Sequence, residues 1–182
     1  MLVANTITAV RLVAAPLTAG AIVGGWRATA ALLFVVAVVT DLADGVVARR
    51  RGEVSAFGGL FDHTTDATYV TVVLAALAWL GEVPWLLPPL VALAFLQYML
   101  DSRALTGARL RASQLGRWNG IAYYVLAGAP IVRDAVDLPW PPASWVRGAA
   151  WLLVVTTALS MFDRWTSRRR APDSPAAKTA DR

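Results

Sequence analysis

Apolar residues fall into six long runs, and most of the charge lies in the joints between them. The runs cover residues 7–25, 28–48, 57–80, 85–100, 120–132 and 145–162. Runs of this length read as helices that cross a bilayer, the fifth being the short one. Gly24-Gly25-Trp26-Arg27 breaks the first run, and Arg49-Arg50-Arg51-Gly52 ends the second. Gly81-Glu82-Val83-Pro84 is a turn. Residues 101–118 form a polar, arginine-bearing loop or interfacial helix, and 133–143 a loop rich in Asp and Pro. Residues 163–182, charged and bearing Pro, Ala and Ser, read as disordered. The pattern predicts an all-α integral membrane protein with six transmembrane helices. Residues 1–163 form one domain and 164–182 a basic tail.

Composition agrees with that class. The chain is 57% hydrophobic, with a mean hydropathy of +0.54, above what a soluble domain of 182 residues carries. It contains no cysteine, which excludes a disulfide framework and thiolate chemistry, and the single His63 excludes a multi-histidine metal site. Charge sets the orientation. Fourteen of the 17 basic residues fall on one side of the six runs, among them Arg11, Arg49 to Arg51, Arg103 to Arg117 and Arg164 to Arg182. Only Arg27, Arg133 and Arg147 fall on the other. The excess of positive charge on the cytoplasmic side places both termini and the 49–57 connection in the cytoplasm of a cell-membrane protein. Trp85, Trp140 and Trp145 flank runs as interface anchors do.

The exceptions to the apolar rule gather between residues 41 and 66. Asp41 and Asp44 are spaced i, i+3 and share a helix face; Gly58, Asp62 and Asp66, at i, i+4 and i+8, share another. Two such helices side by side aim four carboxylates at one point, where divalent cations relieve their repulsion. A carboxylate deep in a membrane helix costs roughly 2.5–3.5 kcal/mol, so four at that depth would cost on the order of 10 kcal/mol. The plain alternative is four interfacial carboxylates on solvated helix ends. Paired carboxylates with two metals suit displacement at phosphorus, and magnesium shares its oxygen ligands with phosphates. Gly45 either admits a substrate to the helix backbone or lets helices pack closely; Gly58 offers the same choice. Arg49 either grips a diphosphate with its planar fork or is an interfacial charge, as suffices for Arg50 and Arg51. Arg103, Arg109, Arg111 and Arg117 either bind an acceptor phosphate or serve topology and anionic lipid. His63 points about 100° away from Asp62 and suits packing or an indirect contact.

The stretch resembles the signature of the CDP-alcohol phosphatidyltransferases, Asp-x2-Asp-Gly-x2-Ala-Arg-x8-Gly-x3-Asp-x3-Asp. All eight fixed positions match, at Asp41, Asp44, Gly45, Ala48, Arg49, Gly58, Asp62 and Asp66. Asn5-x2-Thr8-x2-Arg11-x4-Pro16 is similar to the family's first helix. The resemblance implies that Asp41, Asp44, Asp62 and Asp66 hold two Mg2+ or Mn2+ ions, with Asp66 also the general base. It implies that Gly45, Ala48, Arg49, Ser55 and Gly58 hold the CDP part of CDP-diacylglycerol, with Asn5 and Thr6 nearby; ordinary helix capping explains Asn5 and Thr6 equally well. The implied reaction is attack of an acceptor hydroxyl on the lipid-side phosphate with release of CMP, on the cytoplasmic face, by a homodimer. Leu115-Gly116-Arg117 resembles the Leu-Gly-Lys of the glycerol-phosphate branch. Ala67 stands where many relatives carry Lys or Arg, and His63-Thr64-Thr65 replaces more usual small or apolar residues.

Glycerol 3-phosphate is the expected acceptor, with inositol phosphate next and phosphatidylglycerol a further alternative. No nucleic-acid partner is expected. An intramembrane prenyltransferase needs a second Asp-rich motif, which runs four to six lack. A cation carrier has no use for Gly45-x2-Ala48-Arg49.

Overall fold

The computed structural model describes the backbone of residues 2–51, 56–101 and 114–170 and the side chains of residues 10–42, 59–100 and 114–166. Six helices follow one another, with no strand among the described residues: α1 (Leu2–Val23), α2 (Arg27–Arg51), α3 (Ala56–Trp79), α4 (Leu87–Asp101), α5 (Gln114–Ala135) and α6 (Ala143–Arg170). Gly25 and Gly81 close α1 and α3 in the left-handed region, at φ 71° and 77°. At each, the glycine N–H donates three residues back and the next N–H five residues back, to Ile22 and Ala21 after α1 and to Ala78 and Leu77 after α3. This doubly bonded cap satisfies carbonyls that a helix end leaves open.

Three features depart from the apolar pattern. The fifth helix is 22 residues long, not short, because polar Gln114 to Asn119 and Arg133 to Ala135 join it. The sixth continues to Arg170, so residues 164–170, expected within a disordered tail, are helical. Third, among the described residues both α2 and α3 make their most extensive contacts with α1, which packs against each. Small residues on one face of α1, Ala14, Thr18 and Ala21, are buried and let the neighbouring helices approach closely.

The helices close into a ring in the order α1, α2, α5, α6, α4, α3 and back to α1, with α3 also meeting α5 across the middle. Gln97 ties α4 to α6 by donating to the Met161 carbonyl at 2.9 Å. At the end holding the α1–α2, α3–α4 and α5–α6 connections, Arg133 bridges Glu82 and Asp134, and Arg147 donates to the Gly81 carbonyl at 2.6 Å.

The bundle has a hydrophobic core, and its outer surface is apolar as well. Arg11, Thr18, Thr65, Asn119, Thr157 and Ser160 are buried, whereas Val13, Leu32, Val125, Leu152 and Phe162 are exposed. The buried hydroxyls are bonded internally, Thr18 to the Ala14 carbonyl and Thr157 to both the Leu153 carbonyl and Tyr123. Among the described residues, one stretch, Ala143–Thr166, is by itself long and apolar enough to cross a membrane; Val10–Val23 and Leu87–Leu100 are shorter apolar helices.

The α2–α5 contact is tight at one point. A Cβ on Gly128 would lie 2.8 Å from the ring of buried Phe34, which packs against Tyr69 and Tyr124. Gly128→Ala is therefore expected to destabilise the fold by about 1–3 kcal/mol, as overpacking does. Gly148→Ala, which meets nothing within 4 Å, should leave the thermal midpoint in detergent nearly unchanged. Equal midpoints for the two variants would contradict this packing.

Candidate active site

The site is assembled by three helices. Helix α2 contributes Asp41, α3 contributes Asp62 and Asp66 one turn apart, and α1 contributes Arg11 between them. One oxygen from each of Asp41, Asp62 and Asp66 lies within 4.8 Å of the others. Three convergent carboxylates are hard oxygen donors, the kind that divalent cations of the magnesium type accept. The residues present therefore fit a divalent metal.

Arg11 stands in the middle of them and is 0% exposed. Its Nη1 donates to Asp41 Oδ1 at 2.6 Å and also to Asp66 Oδ1; its Nη2 donates to Asp62 Oδ1 at 2.6 Å. By sequence Arg11 counted only as a topological charge and part of the first-helix pattern. In the fold it is the internal cation of the acidic cluster. The signal was present: an arginine within an apolar run must find partners, because burial of an unpaired charge is prohibitive.

Asp66 has a second donor, the Tyr124 hydroxyl, at 3.3 Å from Oδ1. Tyr124 stacks on Tyr69 at 6.2 Å between ring centres and 12° between planes. Tyr69 in turn shares a hydrogen bond with Thr18. This column of side chains holds Asp66 from α1, α3 and α5 together, and no spacing within a single helix reports it.

Asp41 and Asp66 open onto a cavity of about 380 Å³ walled by α3, α4, α5 and α6. Its polar lining includes Asn119 and Tyr123 of α5, Ser160 and Arg164 of α6, and Arg117. Arg117, one of the four arginines singled out by sequence, is exposed and lines it. Arg164 was expected in the tail. It is instead part of the wall, its guanidinium 4.8 Å from the ring centre of Tyr98. Thr157, Ser160, Met161 and Arg164, spaced i, i+3, i+4 and i+7, form the stripe of α6 that faces the cavity. His63 does not join the carboxylates; it lines the cavity edge-on to Tyr98, with ring centres 6.2 Å apart. Among the described residues no second group of three acidic side chains converges.

The remaining expected site residues lie outside the described parts. Ser55, Arg103, Arg109 and Arg111 are outside the described residues, and Asn5, Thr6, Asp44, Gly45, Ala48, Arg49 and Gly58 are outside the described side chains.

Comparison with known proteins agrees with the signature. The chain is 34% identical over 174 residues to a probable phosphatidylglycerophosphate synthase of Mycobacterium tuberculosis, covering 88% of this chain and 80% of that one. It is 32% identical over 130 residues to a CDP-diacylglycerol–glycerol-3-phosphate 3-phosphatidyltransferase of Cereibacter sphaeroides, covering 66% and 59%. It is 31% identical over 155 residues to a phosphatidylinositol phosphate synthase of Mycobacteroides abscessus, covering 81% and 66%. The chain thus spans about three fifths to two thirds of the length of the last two. The family model for CDP-alcohol phosphatidyltransferase matches residues 1–165, the whole bundle from α1 to nearly the end of α6. With the eight signature positions in place and three of their carboxylates, Asp41, Asp62 and Asp66, gathered at one point, the chain belongs to the CDP-alcohol phosphatidyltransferase family.

Proposed function

We propose that the protein transfers the phosphatidyl group of CDP-diacylglycerol to an alcohol that carries a phosphate, releasing CMP. The observation that carries this reading is the shared cavity: two carboxylates of the acidic cluster and two arginines line the same space. Carboxylates at one point and guanidinium groups at another suit a substrate that reacts at a hydroxyl and is held by a phosphate.

In this reading Asp41, Asp44, Asp62 and Asp66 hold two Mg2+ or Mn2+ ions. Such ions supply charge neutralisation on the diphosphate and on the leaving CMP. Asp66 takes the proton of the acceptor hydroxyl, whose oxygen forms the new bond to the lipid-side phosphorus as the bond to CMP breaks. Tyr124 orients Asp66 for that step. Gly45, Ala48, Arg49, Ser55 and Gly58, with Asn5 and Thr6, bind the CDP part. Arg117 and Arg164 bind the acceptor phosphate, with Arg103, Arg109 and Arg111 in the same basic connection. Glycerol 3-phosphate is the preferred acceptor and inositol phosphate the next, in line with the relatives' names.

The bundle works in the cytoplasmic membrane with all six helices spanning, both termini and the site on the cytoplasmic side, as a homodimer. At 1.5 Å per residue, the five helices other than α4 exceed the roughly 30 Å hydrocarbon core, whereas the 15 residues of α4 reach about 22 Å, so helix length supports five of the six spans. Exposed Trp26, Trp79, Trp85, Trp140 and Trp145 ring one end of the bundle, and Trp118 and Trp165 mark the other. Aromatic belts of this kind sit at membrane interfaces.

The test is CMP release by purified protein, acceptor by acceptor. Glycerol 3-phosphate should support it, glycerol should not, and EDTA should stop it. Equal use of glycerol and glycerol 3-phosphate would overturn the phosphate pocket; release insensitive to EDTA would overturn the metal site.

A further inference from the structure

We infer that Arg11 is a built-in counter-cation of the three carboxylates and competes with divalent ions for them. The inference rests on the reading of the acidic cluster as a metal site. Three facts carry it. Arg11 is fully buried, so its charge is neutralised by side chains and not by water. Its two terminal nitrogens reach all three carboxylates. The atoms it holds, Oδ1 of Asp41, Asp62 and Asp66, belong to the three carboxylates that converge on one point as a cation site would require.

The consequence follows from charge. Three convergent carboxylates in a bundle repel one another unless something positive stands among them. Arg11, delivered by α1, which packs against both α2 and α3, supplies one positive charge and keeps the cage assembled. A divalent ion entering among these carboxylates meets a guanidinium already bonded to all three, and like charges at that range repel. Metal binding is then competitive and weaker than the bare carboxylates would allow, and the protein stays folded without metal. Removing the guanidinium should reverse both properties.

The experiment compares wild type, Arg11→Gln and Arg11→Lys, purified in detergent. It measures Mn2+ affinity by the loss of the free-ion paramagnetic resonance signal, and the thermal midpoint in EDTA and in Mg2+. Arg11→Gln should bind Mn2+ roughly tenfold or more tightly than wild type. It should melt lower than wild type in EDTA and recover in Mg2+. Arg11→Lys keeps the charge but loses the fork that spans three carboxylates, so it should lie between the two in both measurements. If Arg11→Gln does not fold, Arg11→Lys decides: Mn2+ affinity severalfold above wild type supports the competition. Affinity equal to or below wild type in the folded variants overturns it and leaves Arg11 a structural ion pair. If wild type binds no Mn2+, the metal reading itself falls and this inference with it.

Discussion

Asp66→Asn is expected to lower kcat by two to four orders of magnitude and to stay low at any Mg2+ concentration. That loss is what removal of a positioned general base produces, about 2.7–5.5 kcal/mol of barrier. Asparagine keeps the size of the side chain and one oxygen, so Arg11 and Tyr124 retain an acceptor. The substitution removes the proton-accepting carboxylate and leaves the fold's contacts near native. Asp62→Asn provides the contrast. It shares the cluster with Asp41 and Asp66, and in the proposed mechanism it only ligates metal. Its loss should appear first as weaker metal activation and be partly restored by excess Mg2+. The measurement is kcat against Mg2+ concentration for both variants. Recovery of Asp66→Asn at saturating metal would reduce Asp66 to a ligand.

Arg164→Gln is expected to lower kcat/KM for a phosphorylated acceptor by ten- to a hundred-fold, mostly through KM. A charge-assisted hydrogen bond to phosphate is worth roughly 1.5–3 kcal/mol, and Arg164 is steadied over Tyr98 and aimed at the cavity. Arg117→Gln should act in the same direction with a smaller effect, because Arg117 is more exposed and water competes for its charge. Topology alone predicts almost no kinetic change from one loss among 14 charges on that side. Initial rates against glycerol 3-phosphate and inositol phosphate check this. An unchanged KM for both acceptors in Arg164→Gln would return that residue to a membrane-surface charge. Phosphatidylglycerol would then become the acceptor to test.

The six helices, their order and the positions of the acidic residues were legible in the sequence because each depends on local information. A run of apolar residues broken by Gly25 or Gly81 marks a helix and its end, and i, i+4 spacing places Asp62 and Asp66 on one face whatever surrounds them. The lengths of α5 and α6 were less legible. Polar residues such as Gln114 to Asn119, or Arg168 to Arg170, read as loop on hydropathy alone, whereas helix hydrogen bonding continues wherever nothing breaks it. Which helices would meet lay beyond the sequence. Helices α2 and α3 were expected to bring their carboxylates together, and Asp41 does meet Asp62 and Asp66, but among the described residues α1 packs against both helices and enters the cluster with them. That one decision of the tertiary structure turned Arg11 from an interfacial charge into the centre of the acidic cluster. It also set Tyr124 against Asp66 and brought Arg164, 98 residues on, to the cavity that Asp66 lines. The physical reason is that a helix's own periodicity reports which residues share its face. Which partner that face finds is settled by packing and charge compensation among all six helices at once.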